Sequence, residues 1–553
     1  GREDFYGGVL MYLVGCCLGP KTTAADVNRL YRVKDLLTEM DWEHESIESL
    51  KMQLMRCVAS PAFVRNQHGA DLIALFFTVH GGFTAEVHST VKNQVLYSRG
   101  AGLKAYSLAL FKAWKASEAG TRLQVEHCVQ DWVVLAIRTA RKSADRARSM
   151  LEEIHRHHHE EAVNELLCRL YGPLLWRSLK VANCQVRENS VRLLQYVFPL
   201  IPAELGVADK EQELAKQLVL LRETLEDPSE PVRRVGVSAV CIILKNYWDL
   251  VPPAEIAELL TVLMNRCACD RKAPMVRAAV AEGFSWILEN VLSHPTMAAV
   301  LPQISELMND RSPMVRAAFV DLLNAVSHCR GVSVGVVVSN ESLLLRLASE
   351  HTEGQAERLQ KGLQSSKNAG IDARPSPDVV AKHLAKLMAP SLFQQDLVQQ
   401  VARCHYLMQY WPLALLALLS HLKDITPAPE RVKLAAALFR YGLREVSGVA
   451  TSGSQASQPK MVATILRVVG VLLEGTAEPS RCNRKKGGGG HFPKELEAFV
   501  YEHIREEDFL NLFEGEGHGS TAADLLFALS PLDPARLPRT AELVQSELQS
   551  TCR

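Results

Sequence analysis

Apolar positions in the middle of the chain fall on helical stripes, and four stripes open on the same dipeptide: Val186-Arg187, Val232-Arg233, Val276-Arg277 and Val315-Arg316. After Val315 the apolar residues are Phe319, Leu322, Leu323 and Val326, spaced as one face of a helix. Val280, Phe284 and Ile287 follow Val276; Leu193, Leu194 and Val197 follow Val186; Ala239, Val240 and Ile243 follow Val232. Turns with proline or acid precede three of the pairs, at 227–231, 270–274 and 310–313, and proline and acids both suit the first turn of a helix. Upstream of these turns lie apolar segments at 218–225, 259–267 and 298–308, so the unit reads helix, turn, helix.

The pairs recur at intervals of 46, 44 and 39 residues. A period of roughly 40–47 residues is that of HEAT-type helix pairs. One pair cannot bury its stripe alone, so neighbours must stack. The expected fold is all-α, a HEAT-repeat α-α superhelix (a solenoid). Unrelated amphipathic helices sharing a chance Val-Arg are the competing reading, and the matching offsets of four registers weigh against it.

Around this core the patterning changes. Residues 1–165 read as irregular N-terminal helical repeats, with stripes at 23–40, 45–58, 70–80, 103–116 and 128–141, and residues 166–328 as the regular HEAT repeats. Residues 329–378, with VSVGVVVS at 332–339 and RPSP at 374–377, read as an interruption or linker. A C-terminal helical region over 379–553 follows, with flexible loops near 451–458 (TSGSQASQ) and 481–490 (RCNRKKGGGG).

At 553 residues and 47% hydrophobic content the chain exceeds one ordinary core, which suits several domains or one long array. Lysine plus arginine and aspartate plus glutamate both number 62, so any electrostatic site must be a local patch. Thirteen cysteines without a disulfide rhythm, mostly in apolar helical stretches, read as reduced structural thiols of cytosol or nucleus. The chain opens on Gly1 rather than Met and is expected to be a fragment lacking its true N-terminus. The apolar runs 7–19 and 413–419 fall short of a membrane span and read as core helices, so no membrane partner is expected.

Enzyme motifs are scarce. His155 and His159 share a helix face beside His157, His158, Glu160 and Glu161 and could hold a transition metal, but a zinc-protease motif fails at Val163. A solvated helix or loop is the plainer reading of this run. Cys267 and Cys269 lack a second pair at zinc spacing and read as two core cysteines. Gly100-Ala101-Gly102 has the outline of a dinucleotide loop without its β-α-β context, so it reads as a turn before a helix at 104–116. With no P-loop, nucleophile elbow or kinase set, the expectation is a non-enzyme with no cofactor, no metal and no small-molecule substrate.

Basic clusters remain. Arg138, Arg141, Lys142, Arg146 and Arg148 place five cations in eleven residues against one acid, Asp145. Together with Lys92 upstream they are the candidate phosphate contacts, each neutralised phosphate steepening the salt dependence of binding by roughly one log unit. An exposed, solvated face is the competing reading, and Arg484-Lys485-Lys486 is a weaker second cluster. Arg187, Arg233, Arg277 and Arg316 form a ladder that in stacked helix pairs should brace an acid or carbonyl of the adjacent turn. Val186, Val232, Val276 and Val315 are its structural partners.

Particular segments go further than the period. Residues 88–95 (HSTVKNQV), 111–116 (FKAWKA), 167–180 (LCRLYGPLLWRSLK), 247–253 (YWDLVPP), 292–295 (LSHP) and 314–323 (MVRAAFVDLL) resemble, in order, the G subunits of condensin II. The likeness covers residues 1 to about 327; residues 329–378 look unlike the family, whose members are longer than this chain. The resemblance implies a non-catalytic HEAT-repeat regulatory subunit acting in mitotic chromosome condensation and sister chromatid segregation. It also implies a kleisin subunit and SMC ATPase subunits as partners, contact with the DNA backbone and chromatin including methylated histone H4 tails, and a place in the nucleus on the chromosome. None of the family's binding residues carries over individually, because the shared segments are mostly apolar or turn positions. A karyopherin-like HEAT receptor wrapping protein cargo is the alternative, and the scaffold of a large kinase or phosphatase a third.

Overall fold

The computed structural model describes residues 2–363 apart from 20 and 21, residues 377–422 apart from 394 and 395, and scattered positions up to 472. Every regular element among the described residues is helical. The chain separates into two compact units, Gly1–Cys269 and Asp270–Arg553, which do not follow the boundaries expected from composition. The expected loops at 451–458 and 481–490 lie outside the described residues, as does nearly all of 439–553.

Within the first unit, regular helix pairing begins well before residue 166. Two helices absent from the periodic reading, Gly81–Val95 and Arg141–Arg156, stand among Gly100–Ala116, Ala119–Arg138 and Glu161–Ser178. They are hard to see because their buried faces carry polar residues. Thr84 and His88 are buried on the first, Arg148 and His155 on the second, each with a protein partner that offsets the loss of water. Thr84 Oγ1, for instance, donates to Phe77 O at 2.7 Å.

Close approach is set by small residues. Gly69, in the helix Gln67–Phe76, lies so near the preceding turn that an added Cβ would stand 1.9 Å from Phe63 O. This contact closes the aromatic core of Phe63, Phe76 and Phe83.

The Val-Arg helices are Cys184–Val197, Glu230–Tyr247, Pro274–Ile287 and Pro313–His328, the last three with proline in their first turn. Val232, Val276 and Val315 are buried, while Val186 is only half-buried. Each arginine turns its Nη1 back onto carbonyls of the turn before its own helix: Arg187 to Val181 and Ala182, Arg233 to Asp227 and Pro228, Arg277 to Asp270, Arg316 to Asp310 and Arg311. Three use Nε and Nη2 as a fork on a carboxylate one repeat ahead. Arg187 grips Asp227 at 2.7 and 2.9 Å, Arg277 grips Asp310 at 2.6 and 2.9 Å, and Arg316 grips Glu350 at 2.5 and 3.0 Å. Asp227 and Asp310 also accept the N–H of Ser229 and Ser312, each at 2.8 Å, so one carboxylate shapes a turn and ties two repeats.

The helices upstream of the turns are present but change winding. Pro253–Val262 passes into a wider π turn over Leu263–Cys267, and His294–Val300 tightens into 3₁₀ geometry over Leu301–Asn309, where Pro302 supplies no N–H.

The expectation of a linker over 329–378 needs correction. Asn340–Leu363 is a 24-residue helix whose Leu343, Leu344 and Leu347 are buried and whose Glu350 takes the Arg316 fork. A helical glutamate here does what a turn aspartate does in the earlier repeats. The glycine and valine bias at 331–338 forms only the short helix Val334–Val337 ahead of it. Residues 364–376 lie outside the described residues.

Candidate nucleic-acid interface

The basic run 138–148 does not lie on one helix face. Ala119–Arg138 ends and Arg141–Arg156 begins within it. The break is held by Asn189, whose side chain donates to Ile137 O and Thr139 O, both at 3.0 Å, satisfying carbonyls the first helix leaves open. Arg138 is therefore the last residue of one helix, and Arg141 and Lys142 are the first two of the next.

This split sorts the six candidate cations. Arg138, Arg141 and Lys142 are exposed and have no partner among the described residues. Arg146 is half-buried and donates through Nη1 to Val95 O at 3.1 Å. Arg148 is 9% exposed and paired with Asp145. Lys92 is drawn to Asp131 at 2.7 Å, beside His88 Nε2 at 2.9 Å. Burial opposes ionisation of Asp131, but Lys92 and His88 outweigh it and hold the carboxyl below its ordinary value. Burial likewise keeps His88 below its ordinary value against the pull of Asp131. Lys92, Arg146 and Arg148 thus belong to the internal bracing. Arg141 and Lys142 add charge to the positive end of their helix, where a cation is disfavoured unless an anion joins it.

The histidine run is not a solvated loop. His155 is buried, its Nε2 2.8 Å from Tyr171 OH, and its ring stacks on Tyr196. His158 Nε2 stands 2.7 Å from Tyr247 OH, and His157 stacks on Phe111. His155 continues the stripe of Met150, Leu151 and Ile154, which was the available signal. Among the described residues no group of three or more His, Cys, Asp or Glu is placed to hold a metal ion. Cys267 is buried but Cys269 is exposed, so only one of the two is a core cysteine. Gly100 and Gly102 form the first turn of the helix Gly100–Ala116 rather than a turn before it. No helix among the described residues is long and apolar enough to cross a membrane.

A concave feature elsewhere in the first unit was not foreseen. A cleft of about 1090 Å³ opens between the helix Val207–Leu225 and the turns near 201 and 250, lined by Ile201, Val207, Leu214, Leu218 and Leu250 with Tyr247 at its head. Val207 and Leu250 are 77% and 44% exposed. Apolar walls with exposed side chains suit a segment of polypeptide.

Stacked helix pairs locked by an arginine ladder define a HEAT-type repeat protein, and residues 287–323 match the model of a HEAT repeat associated with sister chromatid cohesion. Residues 56–202 match the family model of the condensin II non structural maintenance of chromosomes subunit. The condensin-2 complex subunit G2 of Xenopus laevis is 29% identical over 75% of this chain and 34% of its own length. That of Homo sapiens is 31% identical over 63% and 31%, and that of Danio rerio 27% identical over 100% and 47%. The similarity to condensin II G subunits thus extends from the family-model match at 56–202 over most of the chain. The chain spans from just under a third to just under half the length of these relatives. The crystal structure of Kap121p aligns with 99% of this chain at 14% identity and a TM-score of 0.38, too loose a likeness to bear on function.

Proposed function

We propose that this chain is a non-catalytic scaffold of a condensin II complex, which binds a kleisin subunit and, with the SMC ATPase subunits, contacts DNA in mitotic chromosome condensation in the nucleus. The observation that supports DNA contact is the sorting of the basic run. Arg138, Arg141 and Lys142 stay exposed and unpaired at one helix junction, whereas the ladder arginines Arg187, Arg277 and Arg316 are spent on internal forks. Contacts of this kind go to phosphates and read no base edges, so binding is expected without sequence preference.

The DNA reading is tested by titrating duplex DNA at several salt concentrations. Reversing Arg138, Arg141 and Lys142 to glutamate should lower affinity and flatten the dependence of log affinity on log salt by roughly 0.9 for each phosphate that is no longer neutralised. Unchanged affinity and slope would remove this junction as the site. The kleisin reading is tested by capture of the chain on an immobilised condensin II kleisin. Val207→Asp and Leu250→Asp should weaken capture through the apolar cleft, and no capture by the native chain would overturn the assignment. Chromatin contact through a methylated histone H4 tail belongs to the same proposal and is checked by binding of the modified and unmodified peptides.

A further inference from the structure

The turn between the helices Gly81–Val95 and Gly100–Ala116 presents Leu96 and Tyr97 to solvent, 50% and 83% exposed. The turn is well determined: the N–H groups of Tyr97 and Ser98 bond Gln94 O at 3.1 and 2.9 Å, and Ser98 Oγ bonds it at 2.8 Å. The Tyr97 side chain has no hydrogen bond or ring contact with any described residue. A rigid turn therefore holds an unused aromatic ring outward.

What surrounds it gives the ring a use. Arg146 Nη1 donates to Val95 O at 3.1 Å, and Glu153 N donates to Ser107 Oγ at 3.1 Å. Moving from 146 to 153 follows the neighbouring chain from 95 to 107, so the helices Gly100–Ala116 and Arg141–Arg156 run parallel. Their starts lie at the same edge, with packed axes about 8–10 Å apart. Arg99 and Lys104 are exposed and unpaired among the described residues, as are Arg141 and Lys142 across the edge. No acidic residue occurs in 96–104 or 138–144, and Asp145 just beyond is held by Arg148. Cations flanking an outward aromatic ring make a stacking platform in a positive field, the arrangement that binds single-stranded nucleic acid. A duplex keeps its base faces stacked inside and gives such a ring nothing to cover.

We infer that this edge binds single-stranded DNA, with Arg99, Lys104, Arg141 and Lys142 on the backbone and an unpaired base stacked on Tyr97. The inference rests on the proposed phosphate contact at the same junction and adds to it a preference for unpaired strand. The test is fluorescence anisotropy of the whole 553-residue chain with an oligothymidylate and with a duplex of equal length. Tyr97→Ala should weaken oligothymidylate binding about 5-fold or more, the effect of losing one stacked base, and leave duplex binding unchanged. Tyr97→Phe should keep native affinity, since it keeps the ring face. Arg141→Glu with Lys142→Glu should weaken both ligands. Equal effects of Tyr97→Ala on both ligands, or no effect on either, overturns the stacking role while the charge reversal still reports on phosphate contact. Charge reversal without effect on either ligand overturns the site as a whole.

Discussion

Removing Glu350 should destabilise the repeat stack more than removing Arg316, although the two form one ion pair. The Glu350 side chain is fully buried and that of Arg316 is 5% exposed, so neither charge can fall back on water. Glu350 accepts from two arginines, Arg316 Nε at 2.5 Å and Arg346 Nε at 2.9 Å. Glu350→Ala strands both guanidinium groups, leaving them to share Glu353, which is half exposed and already accepts from each at 2.9 and 3.0 Å. Breaking a buried pair in this way costs about 3–5 kcal/mol. Arg316→Ala gives up the fork, the Glu353 bond and the contacts to Asp310 O and Arg311 O, but it leaves Glu350 paired with Arg346 and strands no guanidinium, so the cost should stay lower, roughly 1.5–3 kcal/mol. Each repeat touches only its neighbours, so the damage should be local. Hydrogen exchange followed by mass spectrometry should show faster opening of Asn340–Leu363 in both variants. At a tenfold rate per 1.4 kcal/mol, the acceleration should be roughly 100-fold or more for Glu350→Ala. Replacing both residues by leucine should recover much of the protection. Equal protection in the two single variants, or weaker protection in Arg316→Ala, would refute the two-arginine argument.

Burial pushes His155 down to about 3, with a smaller repulsion from His158, so the folded state holds the ring neutral. The unfolded chain takes up the proton near pH 6.5. Stability should therefore be full above that value and fall by roughly 1.4 kcal/mol per pH unit below it. His155→Gln should be less stable at pH 7.5 but show a shallower fall in urea midpoint down to pH 5, and an unchanged slope would contradict the assignment. Gly69→Ala should cost about 1–3 kcal/mol or more, because its Cβ would meet Phe63 O at 1.9 Å; a native melting temperature would show that the approach is not tight. Among the described cysteines, exposed Cys184 and Cys269 should alkylate within minutes at pH 7.5, while Cys57, Cys128 and Cys404, whose thiols burial pushes up to about 12, should resist until unfolding. Peptide mapping after a short pulse decides this.

What could be read along the chain was whatever depends on local spacing. The Val-Arg period and its apolar offsets determined helix pairs and their stacking, because a helix must bury one face and that face repeats with the helical turn. The prolines and acids ahead of each pair marked the helix starts for equally local reasons. Particular segments carried the family likeness. Spacing failed where a buried face is polar, as with His88 and His155, since only the tertiary partners Asp131 and Tyr171 make such residues at home inside. It failed again at 340–363, where composition suggested a linker and a buried glutamate makes a brace. The basic run is the sharpest case. Its five cations are equivalent in sequence, and only packing separates Arg146 and Arg148, turned inward to a carbonyl and a carboxylate, from Arg138, Arg141 and Lys142, left outward. A charge is a property of the residue, but whether it is free to bind is a property of its neighbours; for Arg148 one of these is on its own helix, whereas for Arg146 it is Val95, far away in the chain.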